Sequence, residues 1–340
     1  MIMGLQIGEI IRKEEISLDD LKDKVMAIDA FNTLYQFLTT IRQPDGTPLM
    51  DSKGRITSHL SGLFYRTTSL MSKGLKPIFV FDGKAPELKE KTHEIRAAVK
   101  KEAKAKFETA DKVEEKAKWA ARISFLTDEM IEESKELIAA LGLPFVQAPS
   151  EGEAQAAFLV QQGDAYAVGS QDYDSLLFGA SRLVQNLTLA KTRRLPSGAT
   201  IAINPQLIEL EKVLNSLQLT REQLICLGIL TGTDYNPGGI KGIGPKTALK
   251  IVKMHKSPAL IFKEVEKEKR LEFDWREIFE FFKKPDVTKK YSTKFRALNE
   301  EAVKKILVKK HDFGESRIKA AIARISEQKE AKKQKRLENF

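Results

Sequence analysis

The sequence predicts an α/β fold: a central, mostly parallel twisted sheet flanked by helices, carrying a helical arch and a helix-hairpin-helix element. Three observations point there. Continuous apolar runs at Val25-Met26-Ala27-Ile28 and Ile78-Phe79-Val80-Phe81 have the pattern of strands covered on both faces. Stretches with apolar residues at helical spacing alternate with such runs, which argues for a parallel sheet. Late in the chain, Gly242-Ile243-Gly244-Pro245 makes a tight turn, with Pro placed to open the second of two helices.

In chain order, Val25–Ile28 is the first clear strand and runs straight into Asp29. The segment 43–55 is rich in Pro, Gly and Asp and reads as a loop or hairpin projecting from the sheet. Ser58–Met71 is a helix, with Leu60, Leu63, Phe64 and Leu70 on one face. Ile78–Phe81 is the next strand, ending at Asp82. From Lys84 to Arg122 there are twelve Lys or Arg against eight Asp or Glu, with too few apolar residues for a core face. Both a solvated helical pair and a helical arch with a phosphate-facing basic side fit that composition. Glu129–Leu141 is a helix stopped by Gly142 and Pro144. Phe145-Val146 follows as a strand, 152–162 as a helix and Ala165–Val168 as a strand. Beyond residue 200 the chain turns helical, most clearly over Leu217–Leu230 and Thr247–Met254. From Ser326 it is rich in Lys, Glu and Gln and reads as an exposed tail.

At 340 residues and 42% hydrophobic content the chain can build one large core or a core with an appended subdomain. Its formal net charge of +10 favours a polyanionic partner. Cys226 is the single cysteine, which excludes an intrachain disulfide and a thiolate metal cluster; its apolar surroundings make it a core residue. His59, His93, His255 and His311 share no ligand spacing and are read as non-catalytic. No apolar run reaches the roughly eighteen residues of a membrane span, and the N-terminus has no secretory pattern. An intracellular, cytoplasmic location is expected.

Against the basic background stand seven acids: Asp29, Asp82, Glu151, Glu153, Asp172, Asp174 and Asp234. Several follow a predicted strand, and in open α/β sheets ligands bind beyond the carboxyl ends of strands. Acids gathered there repel one another unless cations neutralise them. Each acid alone fits a helix cap or strand end, but the set predicts a metal site. Phosphodiester hydrolysis needs an activated water and compensation of charge on the attacking and leaving oxygens, which two divalent ions about 4 Å apart can supply. Mg²⁺ prefers oxygen ligands and keeps several waters, so some of the acids are expected to act through water. Lys89 and Arg96 lie about two turns, near 10 Å, apart on a continuous helix, where they could polarise a phosphate or simply face solvent. The Gly-Ile-Gly turn offers backbone N–H groups to a phosphate, with Lys246 nearby.

These segments together resemble one family. Ile28-Asp29-Ala30, Val80-Phe81-Asp82-Gly83-Lys84, the run from Ala148 to Gln155, Ser170-Gln171-Asp172-Tyr173-Asp174, Gly232-Thr233-Asp234-Tyr235-Asn236 and Gly242-Ile243-Gly244-Pro245-Lys246 occur in the order found in flap endonucleases. Those enzymes belong to the structure-specific 5′-nuclease superfamily. The similarity extends from Gly4 almost to the end of the chain, and the length suits the archaeal form. The resemblance implies a PIN-like 5′-nuclease core over residues 1–325. Within it lie an N-terminal nuclease region (about 1–105), the arch (within about 84–130) and an internal nuclease region (about 127–260) holding the helix-hairpin-helix at 238–252.

It further implies that the seven acids hold two Mg²⁺, or Mn²⁺, with Glu153, Asp172 and Asp174 the expected direct ligands. Lys89 and Arg96 become the catalytic basic pair. Tyr35 would stack on a base and Arg42 would touch DNA, beside a wedge at 43–55. Glu151, Gly232, Asp234, Gly242, Gly244 and Lys246 are implied DNA contacts, and K⁺ is implied at the hairpin. The family opens Met-Gly, whereas Gly4 follows Met1-Ile2-Met3; a start at Met3 would restore the match. Residues 326–340 form the expected flexible tail, where Gln334, Leu337 and Phe340 resemble the sliding-clamp (PCNA) motif without its second aromatic. The implied activity is Mg²⁺-dependent 5′-flap cleavage, with 5′–3′ exonuclease action, on flap and nicked duplex DNA in replication and repair, by a monomer. A relative acting on gaps or Holliday junctions, a PIN-type ribonuclease, and a non-catalytic clamp-tethered DNA-binding protein remain alternatives.

Overall fold

The apolar runs become the strands at the centre of a sheet. The computed structural model describes residues 5–43, 45–109, 119, 126–188, 192–194 and 200–337. Its strands are β1 (Glu14–Glu15), β2 (Val25–Asp29), β3 (Lys76–Phe81), β4 (Phe145–Gln147), β5 (Ala167–Gly169), β6 (Arg182–Gln185), β7 (Thr192–Arg194), β8 (Thr200–Ala202) and β9 (Gln206–Glu209). Seven of them form one sheet in the order β1-β9-β6-β5-β2-β3-β4, and β7 and β8 pair separately. β6, β5, β2, β3 and β4 are parallel, while β9 runs antiparallel to β6 and to β1. The sheet is therefore mixed, with a parallel centre and an antiparallel edge. The antiparallel strands β1 and β9 were illegible because they are short and carry weak apolar patterns.

Alternation along the central strands sorts their side chains to two cores. Ala27, Ile78 and Val80 face one core, and Met26, Ile28, Phe79 and Phe81 face the other. The first core holds α5 (Gly152–Gln161), α6 (Asp174–Leu177), α7 (Leu210–Leu217), α8 (Arg221–Thr231), α9 (Pro245–Met254), α10 (Pro258–Glu266) and α11 (Trp275–Lys283). The second holds α1 (Ala30–Thr40), α2 (Ser58–Met71), α4 (Asp128–Ala140), α12 (Glu300–Lys304) with the π-helical turn that continues it over Lys305–Lys310, and the start of α13 (Glu315–Leu337). Each sheet face is thus covered by helices, as continuous apolar strands require. Cys226 is fully buried on α8, as expected of a core residue.

Most helical expectations hold to within a residue or two, including Ser58–Met71 at both ends. One does not. Leu217–Leu230 was expected as one helix, yet α7 ends at Gln218 in the left-handed conformation (φ 54°), and α8 begins afresh behind Thr220. Thr220 and Gln223 form a capping box, a Thr-x-x-Gln signal in the sequence that the continuous apolar spacing overrode. Residues 326–337, expected as a tail, continue helix α13. Their Ala, Lys, Gln and Arg are good helix formers.

The 84–130 segment, where an arch was expected, begins helically. A 3₁₀ turn at Glu87–Lys89 leads into α3 (Glu90–Thr109), and 110–118 and 120–125 lie outside the described residues. The 43–55 segment, expected as a loop or hairpin, carries two isolated antiparallel bridges, Arg42 to Pro48 and Met50 to Ile56. Its far end is docked on the C-terminal unit. His311 sits between Asp51 and Glu133, its Nδ1 3.0 Å from Asp51 Oδ2 and its Nε2 3.0 Å from Glu133 Oε1. Ser52 donates to Asp312 through its backbone N–H at 3.0 Å, and Arg55 donates to the Lys310 carbonyl.

Candidate metal centre and nucleic-acid interface

The strand order fixes where the acids meet. From β2 the chain moves outward through β3 to β4, then returns to lay β5 on the other side of β2. A crevice opens beyond the carboxyl ends of strands at such a reversal. Asp29 ends β2 and caps α1, its Oδ1 accepting from the Asn32 N–H at 3.0 Å. Asp82 follows β3, and its Oδ1 accepts from the Gly152 N–H at 2.7 Å. Only glycine allows that approach, because a Cβ at 152 would lie 2.5 Å from Asp82 Oδ1. Glu151 is the N-cap residue of α5, and Glu153 lies in its first turn. After β5, Asp172 accepts from Asn32 Nδ2 at 2.6 Å, and Asp174 opens α6.

Asp234 arrives from the loop after α8. Asn236 pins that loop by accepting from the Thr233 N–H and hydroxyl at 3.2 and 2.8 Å and donating to the Ile229 carbonyl at 2.7 Å. The loop also passes close to the hairpin: a Cβ on Gly232 would meet the Gly239 nitrogen at 2.6 Å, and one on Gly239 the Thr231 carbonyl carbon at 2.4 Å. Both glycines have positive φ, 107° and 56°, so the sequence places glycine where no other residue fits.

All seven acids share one electrostatic field. Burial raises the pKa of Asp29, and the charges of Asp82 and Asp172 add to it. Burial likewise raises Glu153, reinforced by Asp174, Asp172 and Asp29. For Asp174, burial is joined by Asp234, Asp172 and Glu151. Lys89, entering from the root of the arch, supplies opposing charge. Its Nζ lies 2.6 Å from Glu151 Oε2 and 3.6 Å from Asp234 Oδ2. Burial works to lower the Lys89 pKa, but Glu151 and Asp234 override it and hold the ammonium charged well above its ordinary range.

The donor set fits hard divalent cations: oxygen only, anionic, and buried or half-buried. Asp174 Oδ1 is buried with no hydrogen-bond partner, a cost that a cation or its water would remove. Among the described residues no three His, Cys, Asp or Glu side chains converge closely enough to grip one ion; in their place, the Lys89 ammonium bridges Glu151 and Asp234. Side-chain rotation and bridging waters therefore belong to any ion binding here.

The implied DNA contacts fall into two groups. Tyr35 lies half-buried on α1, the helix that Asp29 caps. Arg42 lies at the root of the 43–55 loop, where its guanidinium donates to the Gly46 carbonyl at 2.8 Å and the Thr39 carbonyl at 3.2 Å. In the hairpin, Gly244 is the N-cap of α9 with no side-chain cap, Pro245 follows, and Lys246 is exposed beside Glu9 at 3.7 Å. Gly242 has φ 85°. The Lys241 carbonyl accepts from Lys269 Nζ at 3.0 Å, so an ammonium already serves one carbonyl of the hairpin where K⁺ was expected. The side chains of Arg96, Gln334 and Leu337, and the whole of Phe340, lie outside the described residues.

Sequence reasoning passed over the groups that orient the acids. Asn32 serves both Asp29 and Asp172, and the Ser170 hydroxyl donates to Glu153 at 3.1 Å. Thr92, fully buried on the otherwise charged α3, donates its hydroxyl to the Asp234 carbonyl. Their signal was a small polar residue within a few positions of an acid, which is too common to single out.

Known proteins resemble this chain over most of its length. The XPG N-terminal domain matches residues 3–103 and the XPG I-region residues 142–234. The chain is 55% identical to flap endonuclease 1 of Hyperthermus butylicus over 95% of its own length and 94% of that protein. It is 52% identical to flap endonuclease 1 of Pyrococcus abyssi, over 99% and 98% of the two chains. The solved structure of flap endonuclease-1 from Methanococcus jannaschii superposes with a TM-score of 0.77 at 44% identity, covering 97% of this chain and all of that one.

Proposed function

This chain belongs to the flap endonuclease 1 family and is a flap endonuclease, and on that premise we propose how its residues cut. The substrate is a 5′ single-stranded flap at a DNA junction, in replication and repair, with 5′–3′ exonuclease action on nicked duplex. One observation carries the reading: seven acids and one lysine, from segments about 200 residues apart, occupy a single field at the sheet's reversal point.

Asp29, Asp82, Glu151, Glu153, Asp172, Asp174 and Asp234 would hold two Mg²⁺, or Mn²⁺ by the same ligand preference. When bound, the ions would supply a water of lowered pKa and charge compensation on the attacking and leaving oxygens. The chain's own part is positioning. Asn32, Ser170 and the Gly152 N–H fix four carboxylates, Asp29, Asp172, Glu153 and Asp82, in place before substrate arrives. Lys89, now paired with Glu151 at 2.6 Å, would turn with Arg96 toward the scissile phosphate and polarise it. The water oxygen bonds to phosphorus as the 3′ oxygen leaves, giving a 5′-phosphate and a 3′-hydroxyl.

Duplex would lie across the hairpin, its phosphates meeting the backbone N–H groups at Gly242 and Gly244 and the charge of Lys246. Tyr35, Arg42 and the 43–55 loop would bracket the junction, with Gly232 under the strand that reaches Asp234. A K⁺ at the hairpin would have to share the Lys241 carbonyl with Lys269. Gln334, Leu337 and Phe340 would dock on a sliding clamp, with the enzyme acting as a monomer. The test is Mg²⁺-dependent cleavage of matched double-flap, gap and four-way DNA with product mapping. Preferred cutting of the double flap near its junction is expected; preference for the four-way junction overturns the reading.

A further inference from the structure

The arch root carries a polar group whose placement the two-metal reading leaves unexplained. Thr92 is fully buried (0% exposed) on α3, whose described neighbours Glu94, Ile95, Ala97 and Ala98 are exposed. Its hydroxyl donates to the backbone carbonyl of Asp234, a residue 142 positions away in sequence. Three positions earlier, Lys89 reaches Glu151 and the Asp234 carboxylate and lies 5.5 Å from the centre of the Tyr235 ring. Residues three apart on a helix share a face, so Thr92 and Lys89 address the same loop from the same side. One grips its backbone and the other its side chain.

That loop has little freedom of its own. Asn236 ties Thr233 to the end of α8, and Gly232 packs against Gly239 without room for a Cβ. The Asp234 carbonyl is therefore a rigid anchor, set by α8 and the hairpin. α3, by contrast, has too few apolar residues to seat itself by hydrophobic burial. A buried hydroxyl without a partner is costly, so the Thr92 bond selects one seating of the arch root over its neighbours.

We propose that Thr92 is a positioning residue, which fixes the root of the arch on the Asp234 loop and thereby delivers the Lys89 ammonium to the acid cluster. It touches neither substrate nor the reacting atoms. The proposal rests on the flap-endonuclease reading for its catalytic consequence, though not for the contact itself. It also couples the hairpin to the arch through Asp234, since the loop that Thr92 grips is the one that Gly239 supports.

The test compares Thr92→Val, which keeps the shape and removes the donor, with Thr92→Ser, which keeps the donor. On the double-flap substrate with Mg²⁺, Thr92→Val is expected to lower kcat by about ten- to a hundredfold, as a small misplacement of a catalytic group does. KM should change little, and Thr92→Ser should recover most of the loss. Hydrogen exchange of the full-length protein without DNA gives a second reading that does not depend on cleavage. Amides of 87–95 and 231–236 should exchange faster in Thr92→Val than in wild type. Unchanged kcat and unchanged exchange in Thr92→Val overturn the proposal, as does a Thr92→Ser variant as impaired as Thr92→Val. Failure of the wild type to cut any flap substrate instead overturns the functional reading, and the exchange comparison then still decides whether Thr92 seats the arch.

Discussion

Asp174 shows most clearly what single residues contribute. Its carboxylate is buried, raised in pKa by burial and by Asp234 and Asp172, and one oxygen has no hydrogen-bond partner. Asp174→Ala is expected to abolish cleavage while leaving affinity for flap DNA within about threefold, read by single-turnover assay and by anisotropy, since phosphate contacts elsewhere dominate binding. Cleavage at the wild-type rate would remove Asp174 from the mechanism. Gly152→Ala is the subtler probe. The added methyl must displace Asp82 Oδ1, so kcat should fall by about tenfold or more with little change in melting temperature. Of these residues the acids were legible in the sequence and their supports were not. An acid after an apolar run is a recognisable pattern, whereas Asn32 reaching Asp172 depends on which strands become neighbours.

Among the elements, the 43–55 loop was readable as irregular, but its anchorage was not. The histidine that holds it, His311, is 260 residues from Asp51 and shares no spacing with any other candidate. The junction makes stability depend on acidity in a calculable direction. Partial burial works to raise the Glu133 carboxyl, but His59 at 3.8 Å and the closer contacts of Lys310 and His311 at 2.6 and 3.0 Å bring it down to about 2. Asp51 also lies well below the usual carboxylate range: burial opposes this, and donors from Arg55, His311 and Lys53 prevail.

A carboxylate whose folded pKa is depressed stabilises the fold above its unfolded value, about 4.3, and that contribution is lost as pH falls toward the folded value. His59, lowered by burial in spite of Glu133 nearby, acts in the same sense, because the unfolded chain takes up its proton first as pH drops below about 6.5. The stabilising contribution of Glu133 is therefore expected to fade from pH 6.5 to pH 3: the denaturant midpoint of Glu133→Gln should start below that of wild type, and the gap should close as pH falls. A gap independent of pH across that range would contradict this account. At the hairpin, Lys269→Met should make duplex binding more sensitive to replacing K⁺ by Li⁺ at constant ionic strength, because the Lys241 carbonyl loses its ammonium. Equal sensitivity in both proteins would show that Lys269 does not serve as a built-in cation.

For the whole molecule, a formal net charge of +10 accompanies a crevice that gathers seven acids. Affinity for flap DNA should fall linearly with salt on logarithmic axes, and Lys246→Ala should reduce the slope by about one. A slope unchanged by that substitution would take Lys246 off the phosphate path. The parallel centre of the sheet and both helical layers were legible, because continuous apolar strands and amphipathic helices leave periodic traces. The antiparallel edge was not, since β1 is two residues long and pairs with a strand near residue 207.

The grip of His311 and Asp312 on the 51–55 turn has a consequence for synthesis. A ribosome makes the acids, the arch and the hairpin well before it reaches residue 311, and contacts so distant in sequence close last. A nascent chain would therefore hold every catalytic group while its junction-facing loop is still unanchored. If that loop brackets the junction as proposed, the enzyme would gain its discrimination among DNA structures only once residues 311 and 312 have emerged to hold it.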